Sequence, residues 1–293
     1  MTSNKLNSWI LASRPKTLPA SVSPVIVGTA LAVYNDAFDA IAALLAVFCA
    51  LLIQIATNFT NDLYDFLAGT DTTERVGPKR ALAEGWITVS EMKTAIILTF
   101  GAAFLAGLFL VYTGGFWVLV IGVLSILAGL AYTAGPYPLA YNGLGDIFVF
   151  IFFGLVATVG TYYVQAHSVA SIAVVSSLPM GALITNILIV NNYRDLEDDK
   201  LAGKKTMAVL YGAAFTRFEY LFLLIVCYTV PFIIFFFYDA SITVLMPLLS
   251  LPVAIRLFAM LFTHKGEQLN QTLEYSGKLT LVYALLFSLG LFL

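Results

Sequence analysis

The sequence predicts an all-α membrane protein with about nine transmembrane helices in one bundle. Three observations carry this. Of 293 residues, 60% are hydrophobic and 11% charged, whereas soluble domains carry about a quarter charged residues. Mean hydropathy is +0.91. The apolar residues fall in repeated runs of about 20, the length a helix needs to cross the hydrocarbon core.

Residues 1–16 mix Trp9, Ile10 and Leu11 with Lys5, Arg14 and Lys16, the pattern of a segment lying at the membrane interface. The first span is expected at 17–34. Its Pro19 and Pro24 are tolerable in a membrane helix. No small-residue cleavage site accompanies it, so it reads as a retained span. A second span at 39–61 leads into a long polar connection, 62–91. Spans at 93–112 and 116–133 precede an aromatic, turn-rich link from Tyr132 to Asp146. Spans at 147–165 and 169–191, a polar connection at 192–217, and spans at 218–237, 241–262 and 276–293 complete a single polytopic domain, 1–293.

With this count, the 15 Lys and Arg residues fall on the N-terminal side of the membrane or within reach of it. The positive-inside rule makes that side cytoplasmic. The net charge of −2 gives no reason to expect a nucleic-acid partner. The partner read from composition is membrane lipid. Cys49 and Cys227 fall inside spans and read as small buried hydrophobes rather than a disulfide.

Acid at the ends of apolar helices is costly and needs a reason. Asn58, Asp62 and Asp65 lie at i, i+4 and i+7 after the second span, and Asp195 and Asp199 at i and i+4 after the sixth, so each set shares a helix face. Parity puts both sets on one side of the membrane, in corresponding places of a diverged repeat. Carboxylates with asparagine oxygens suit Mg²⁺, and no Cys or His cluster competes for a softer metal. The neighbouring Gly77-Pro78-Lys79-Arg80 and Gly203-Lys204-Lys205 supply cations for phosphate oxygens. Together they read as metal-bridged diphosphate binding.

Blander readings stand beside this one. Lys and Arg collect in cytoplasmic loops whatever the function, which suffices for Lys93, Arg217, Lys265 and Lys278. Glu197 and Asp198 read as solvated helix-end acids. Asp146 either orients or deprotonates a second substrate or merely caps a helix. Tyr132, Tyr137 and Tyr141 either line an aromatic pocket that stabilises a cation or anchor at the interface. Paired acids, repeats and broken helices also describe ion-coupled transporters, although those usually hold their acids near the midplane.

Six pieces occur in order: Arg14-Pro15-Lys16-Thr17-Leu18-Pro19; Asn61-Asp62-Leu63-Tyr64-Asp65 with Gly69-Thr70-Asp71; Gly77-Pro78-Lys79-Arg80; Tyr132-Thr133-Ala134-Gly135-Pro136; Gly143-Leu144-Gly145-Asp146; and Asn191-Asn192-Tyr193-Arg194-Asp195 with Asp199 and Gly203-Lys204. In this order they resemble the UbiA-type intramembrane aromatic prenyltransferases over nearly the whole chain. The superfamily's first motif has its last aspartate four residues after the second. Here Gly69 holds that place and Asp71 follows Asp65 by six, which resembles the 1,4-dihydroxy-2-naphthoate branch of menaquinone biosynthesis rather than the 4-hydroxybenzoate branch.

The resemblance implies nine helices around a lateral, lipid-open cavity in a bacterial inner membrane. Mg²⁺ held by Asp62, Asp65, Asp195 and Asp199, with Asn61 and Asn58, would grip the diphosphate, and Asp71 would bind metal directly or through water. Asn58, Asn61 and Asn192 would lie beside the substrates. Lys16, Arg80, Arg194 and Lys204 would offset the charge of a polyprenyl diphosphate. The polyprenyl group would pass to a naphthoate acceptor with loss of CO₂ and diphosphate, giving demethylmenaquinone. The alternative within the superfamily is another aromatic acceptor.

Overall fold

A chain whose polar groups must be satisfied without water can cross a bilayer as helices or as a closed barrel. The computed structural model describes residues 5–70 and 77–293, and among these there are helices and short links but no strands. The elements are α1 (Lys5–Ser13), α2 (Leu18–Tyr34), α3 (Ala40–Leu67), α4 (Val89–Gly114), α5 (Phe116–Ala131), α6 (Gly145–Ala166), α7 (Ser171–Arg194), α8 (Leu196–Leu201), α9 (Met207–Phe237), α10 (Ile242–Thr263) and α11 (Gly266–Phe292). Among the described residues eight helices are long and apolar enough to cross a membrane, and α5, at 16 residues, is a shorter apolar helix, so the expected nine spans hold only approximately.

Helix starts follow capping chemistry. Asp39 Oδ1 accepts from the amides of Ile41 at 2.8 Å and Ala42 at 3.1 Å, and Thr88 with Glu91 forms a reciprocal capping box on α4, each satisfying otherwise orphaned donors. α1 lies against α3, where Trp9 meets Phe59 edge to face at 5.4 Å. The largest core joins α2, α7, α9, α10 and α11 around Leu31, Met180, Leu183, Tyr220, Tyr283 and Phe287. A second core joins α1, α3 and α4 with Ala81, Leu82 and Ile87 of the intervening link.

Several helices outrun the expected spans, always at the polar end. α3 continues through Asp62 and Asp65 to Leu67, so both acids belong to the helix and not to the connection at 62–91. α9 begins at Met207 instead of 218 because Arg217, which interrupts the apolar run, is satisfied inside the protein. Arg217 donates to Tyr193 Oη at 2.9 Å and to the Leu261 carbonyl at 3.2 Å, and its guanidinium sits 4.5 Å from the Phe262 ring. Gly212, at φ 76°, kinks the helix in between, a conformation that glycine takes without a Cβ penalty. α11 begins at Gly266 instead of 276, carrying Lys278 paired with Glu274 at 2.8 Å one turn away.

α6 contains a π-helical stretch, Phe150–Val156, where it crosses α7. Small residues let membrane helices approach this closely. A Cβ on Gly181 would lie 2.8 Å from the Phe150 carbonyl oxygen, and one on Gly154 would lie 2.8 Å from Gly181 Cα. Both neighbours are backbone and cannot rotate away. Gly181→Val is therefore expected to destabilise the fold by about 1–3 kcal/mol or more through overpacking, lowering the melting temperature in detergent. Gly101→Val, where a Cβ meets nothing within 4 Å, should leave it nearly unchanged.

Candidate active site

Helices α2 to α7 surround a cavity of about 430 Å³. Its deep walls are apolar or small, with Ala46, Gly107, Val118, Phe152, Phe153 and Val164 among them, and its mouth carries Arg14, Asn58, Asn61, Asp65, Arg80, Asp195, Asp199 and Lys204. Phe104, Leu108 and Val123 line it while also facing the outside of the bundle, so the cavity opens laterally toward lipid.

The two acidic stretches meet at this mouth. Lys204 Nζ lies 3.3 Å from Asp65 Oδ1 and 3.6 Å from Asp199 Oδ1, tying the end of α3 to α8. Tyr141 donates to Asp65 Oδ1 at 2.6 Å, and the Lys204 ammonium sits 4.6 Å from its ring. Thr70, whose amide donates to the Asp65 carbonyl at 3.0 Å, places its hydroxyl 3.1 Å from Tyr141 Oη. Asp62, 1% exposed, accepts on Oδ1 from Arg14 at 3.0 Å and Arg80 at 3.1 Å. Arg194 grips Asp195 in a bidentate pair, both contacts 2.6 Å, and also donates to Asn270 at 2.8 Å and Asn191 at 2.9 Å. Asp195 and Asp199 remain one turn apart across the α7–α8 junction, with the Asp199 amide donating to the Asp195 carbonyl at 2.7 Å.

Four buried carboxylates thus meet four cations, each acid with a basic partner. Such pairing offsets the cost of removing the charges from water. Asp62 Oδ2 is buried with no hydrogen-bond partner, an acceptor left over for a further cation. The donor set of carboxylate and amide oxygens fits Mg²⁺. Among the described residues, however, no three acidic, histidine or cysteine side chains converge in a ligating group.

The structure gathers most of the expected residues and sets others apart. Asn58 faces the mouth and donates to the Ser13 carbonyl at 3.0 Å. Asn61 accepts from Thr133 at 2.9 Å. Tyr132 and Asn192 line the cavity. Lys16 does not reach it: the side chain is 73% exposed and pairs with Glu274 at 2.7 Å. Arg14 takes that place, because its left-handed backbone, φ 53°, turns it in toward Asp62 while Lys16 points out. Its position in the Arg14-Pro15-Lys16 run was the available signal. Tyr137 is 60% exposed and stands off the cavity. Asp146, 5% exposed, does not line the cavity and packs near Asn192, Thr216 and Glu219. Asp71 falls outside the described residues.

Comparison with known proteins shows the family. The UbiA prenyltransferase family model matches residues 21–292. The chain is 35% identical to the 1,4-dihydroxy-2-naphthoate octaprenyltransferase of Haemophilus influenzae over 99% of this chain and 97% of that one. It is 40% identical to the enzyme of the same name from Escherichia coli, over 73% and 71%. The fold is similar to a UbiA homolog from Archaeoglobus fulgidus bound to GPP and Mg²⁺, with TM-score 0.69, 16% identity and coverage of 98% of this chain and 100% of that one.

Breaking a buried bidentate pair leaves its partner uncompensated, at a cost of about 3–5 kcal/mol. Arg194→Met should lower thermal stability by that order, read by melting in detergent. Arg194→Lys, which keeps the charge but not the fork, should recover part of it.

Proposed function

Because this chain belongs to the UbiA prenyltransferase family, we propose that it transfers a polyprenyl group from polyprenyl diphosphate to 1,4-dihydroxy-2-naphthoate, releasing CO₂ and diphosphate and forming demethylmenaquinone. The observation that carries this reading is the mouth itself, where acids from two distant segments meet four bases above an apolar, laterally open cavity. The two relatives named for this reaction support the acceptor.

Asp62, Asp65, Asp195 and Asp199 would hold Mg²⁺, which supplies Lewis-acid stabilisation of the departing diphosphate when bound. Arg14, Arg80 and Lys204, which line the mouth, bind the phosphate oxygens and stabilise the charge that grows there as the allylic C–O bond breaks, while Arg194, expected to join them, lies buried off the cavity and holds Asp195 in place. Phe152, Phe153, Val149 and Leu188 in the wall hold the first part of the prenyl chain and keep water from the allylic cation. The ring carbon bearing the carboxylate forms the new C–C bond. The bond to CO₂ then breaks, and its electron pair restores the ring. Asn61 and Tyr132, in the wall near the mouth, orient the acceptor. Asp146 acts on the acceptor side from behind the wall, near Asn192, which lines the cavity.

The chain works as one domain in a bacterial inner membrane, with the motif ends facing the cytoplasm, as the distribution of Lys and Arg supports. The ion-coupled carrier reading is weaker because the acids lie at helix ends and are already paired.

In purified membranes, Mg²⁺ should support prenylation of 1,4-dihydroxy-2-naphthoate with release of CO₂, EDTA should abolish it, and 4-hydroxybenzoate should not react. Turnover of the benzoate alone would overturn the acceptor while leaving the reaction class. Asp62→Ala or Asp195→Ala should lower kcat/KM about a hundredfold or more. Asp146→Asn should lower turnover of the naphthoate severalfold with little change in KM for the donor. An equal loss of donor affinity would contradict its assignment to the acceptor side.

A further inference from the structure

Two contacts fix the register of α10 against α11. Thr243 donates to the Gly290 carbonyl at 2.8 Å near one end, and His264 Nδ1 lies 3.1 Å from Thr272 Oγ1 near the other. Arg256 is eight residues from His264 and Lys278 six from Thr272, about 12 Å and about 9 Å along the helices. The two cations therefore stand at nearly one height on adjacent helices. The start of α2 reaches the same height, because a Cβ on Gly277 would lie 3.4 Å from the Lys16 carbonyl oxygen. The Lys16 and Lys278 side chains are 73% and 62% exposed, and each takes one oxygen of Glu274, so two ammonium groups share one carboxylate.

The outward stripes change character at this height. Residues three or four apart share a helix face, and the exposed face of α11 runs Gln271, Tyr275 and Lys278, then Val282, Leu285 and Leu289. On α10, exposed Leu249 and Val253 give way to Arg256 and, two turns on, Thr263. Phe262, exposed beyond Arg256, is faced by the Arg217 guanidinium. Arg256 is itself exposed, and among the described residues it has no ion-pair or hydrogen-bond partner. An unpaired guanidinium against hydrocarbon is costly, so its height marks where the hydrocarbon ends. Tyr275, whose ring lies 5.1 Å from the Lys278 ammonium, is the residue type that anchors at that boundary.

We propose that Lys16, Arg256 and Lys278 form a basic collar on α2, α10 and α11 that binds the phosphate headgroups of anionic phospholipids in the leaflet on the mouth side. The charge is complementary, since Lys16 and Lys278 share a single carboxylate and Arg256 has none. The Arg256 guanidinium is a planar fork of donors that suits phosphate oxygens, and its stem can run along the apolar stripe while its head reaches the headgroups. The same height sets the acids of the α7–α8 junction on the water side of the headgroups. Arg194, which holds Asp195, donates to Asn270 at 2.8 Å, and Asn270 lies eight residues from Lys278, about 12 Å along α11 and away from the hydrocarbon.

The test is native mass spectrometry of the purified full chain, titrated in detergent with dioleoylphosphatidylglycerol or dioleoylphosphatidylcholine. The anionic lipid should be retained about fivefold or more tightly than the zwitterionic one, the factor that a single basic residue contributes at an anionic surface. Arg256→Gln and Lys278→Gln should each lower retention of phosphatidylglycerol about fivefold, and either serves if the other does not fold. Arg256→Lys should keep most of it. Lys265 is exposed beyond the end of α10, more than about 10 Å along the helix from Arg256 and so about a Debye length away at 0.1 M salt. Lys265→Gln should therefore change retention little. Equal retention of the two lipids, or a loss with Lys265→Gln as large as with Arg256→Gln, overturns the collar. Displacement of phosphatidylglycerol by an equal concentration of inorganic phosphate overturns the assignment to lipid. A dimer that shows no lipid preference and that Arg256→Gln dissociates gives the face to a second copy of the chain and overturns it as well.

Discussion

The pairing of buried acid with buried base at the mouth of the cavity is the constraint on which the rest of the structure depends. A carboxylate at the end of a membrane helix is tolerated only when its charge is met, and here the partners come from across the chain. Lys204 reaches Asp65 over 139 residues of sequence, and Arg14 reaches Asp62 over 48. These contacts fasten the ends of α3, α7 and α8 to one another and to the turn after α1. The apolar helices below are then free to part around a cavity, since the polar ends hold the top of the bundle together.

Removing one partner of a buried ion pair is expensive because it leaves a charge uncompensated, so the matched acids and bases hold one another in place at the mouth. Tyr141, which donates to Asp65 and lies under the Lys204 ammonium, holds this part of the cluster rigid. Below the cluster the walls carry small and apolar side chains that suit a hydrocarbon chain and exclude water from a cation.

Much of this was legible in the sequence. Spans were visible because lipid demands uninterrupted apolar runs, and the faces shared by Asn58, Asp62 and Asp65 followed from helical period alone. The ends were not visible, because hydropathy stops at Arg217 or Lys278 while the helix does not when those charges find partners. Lys16 and Arg14 could not be ranked from order in the chain. Which of the two turns inward depends on a single left-handed residue at 14. The place of Asp146 after the tyrosine-rich link left it between acting on a second substrate and capping a helix, and its burial in the first turn of α6, off the cavity, is set by helix packing rather than by local sequence.

The most direct test of the account is a structure with Mn²⁺ and a non-hydrolysable thio-analogue of a prenyl diphosphate, with the metal located by its anomalous scattering. The account predicts metal between Asp62 or Asp65 on α3 and Asp195 or Asp199 at the α7–α8 junction, with the diphosphate at the mouth of the cavity beside Arg14, Arg80 and Lys204. Metal bound to one stretch alone, or a diphosphate bound away from the mouth, would contradict it.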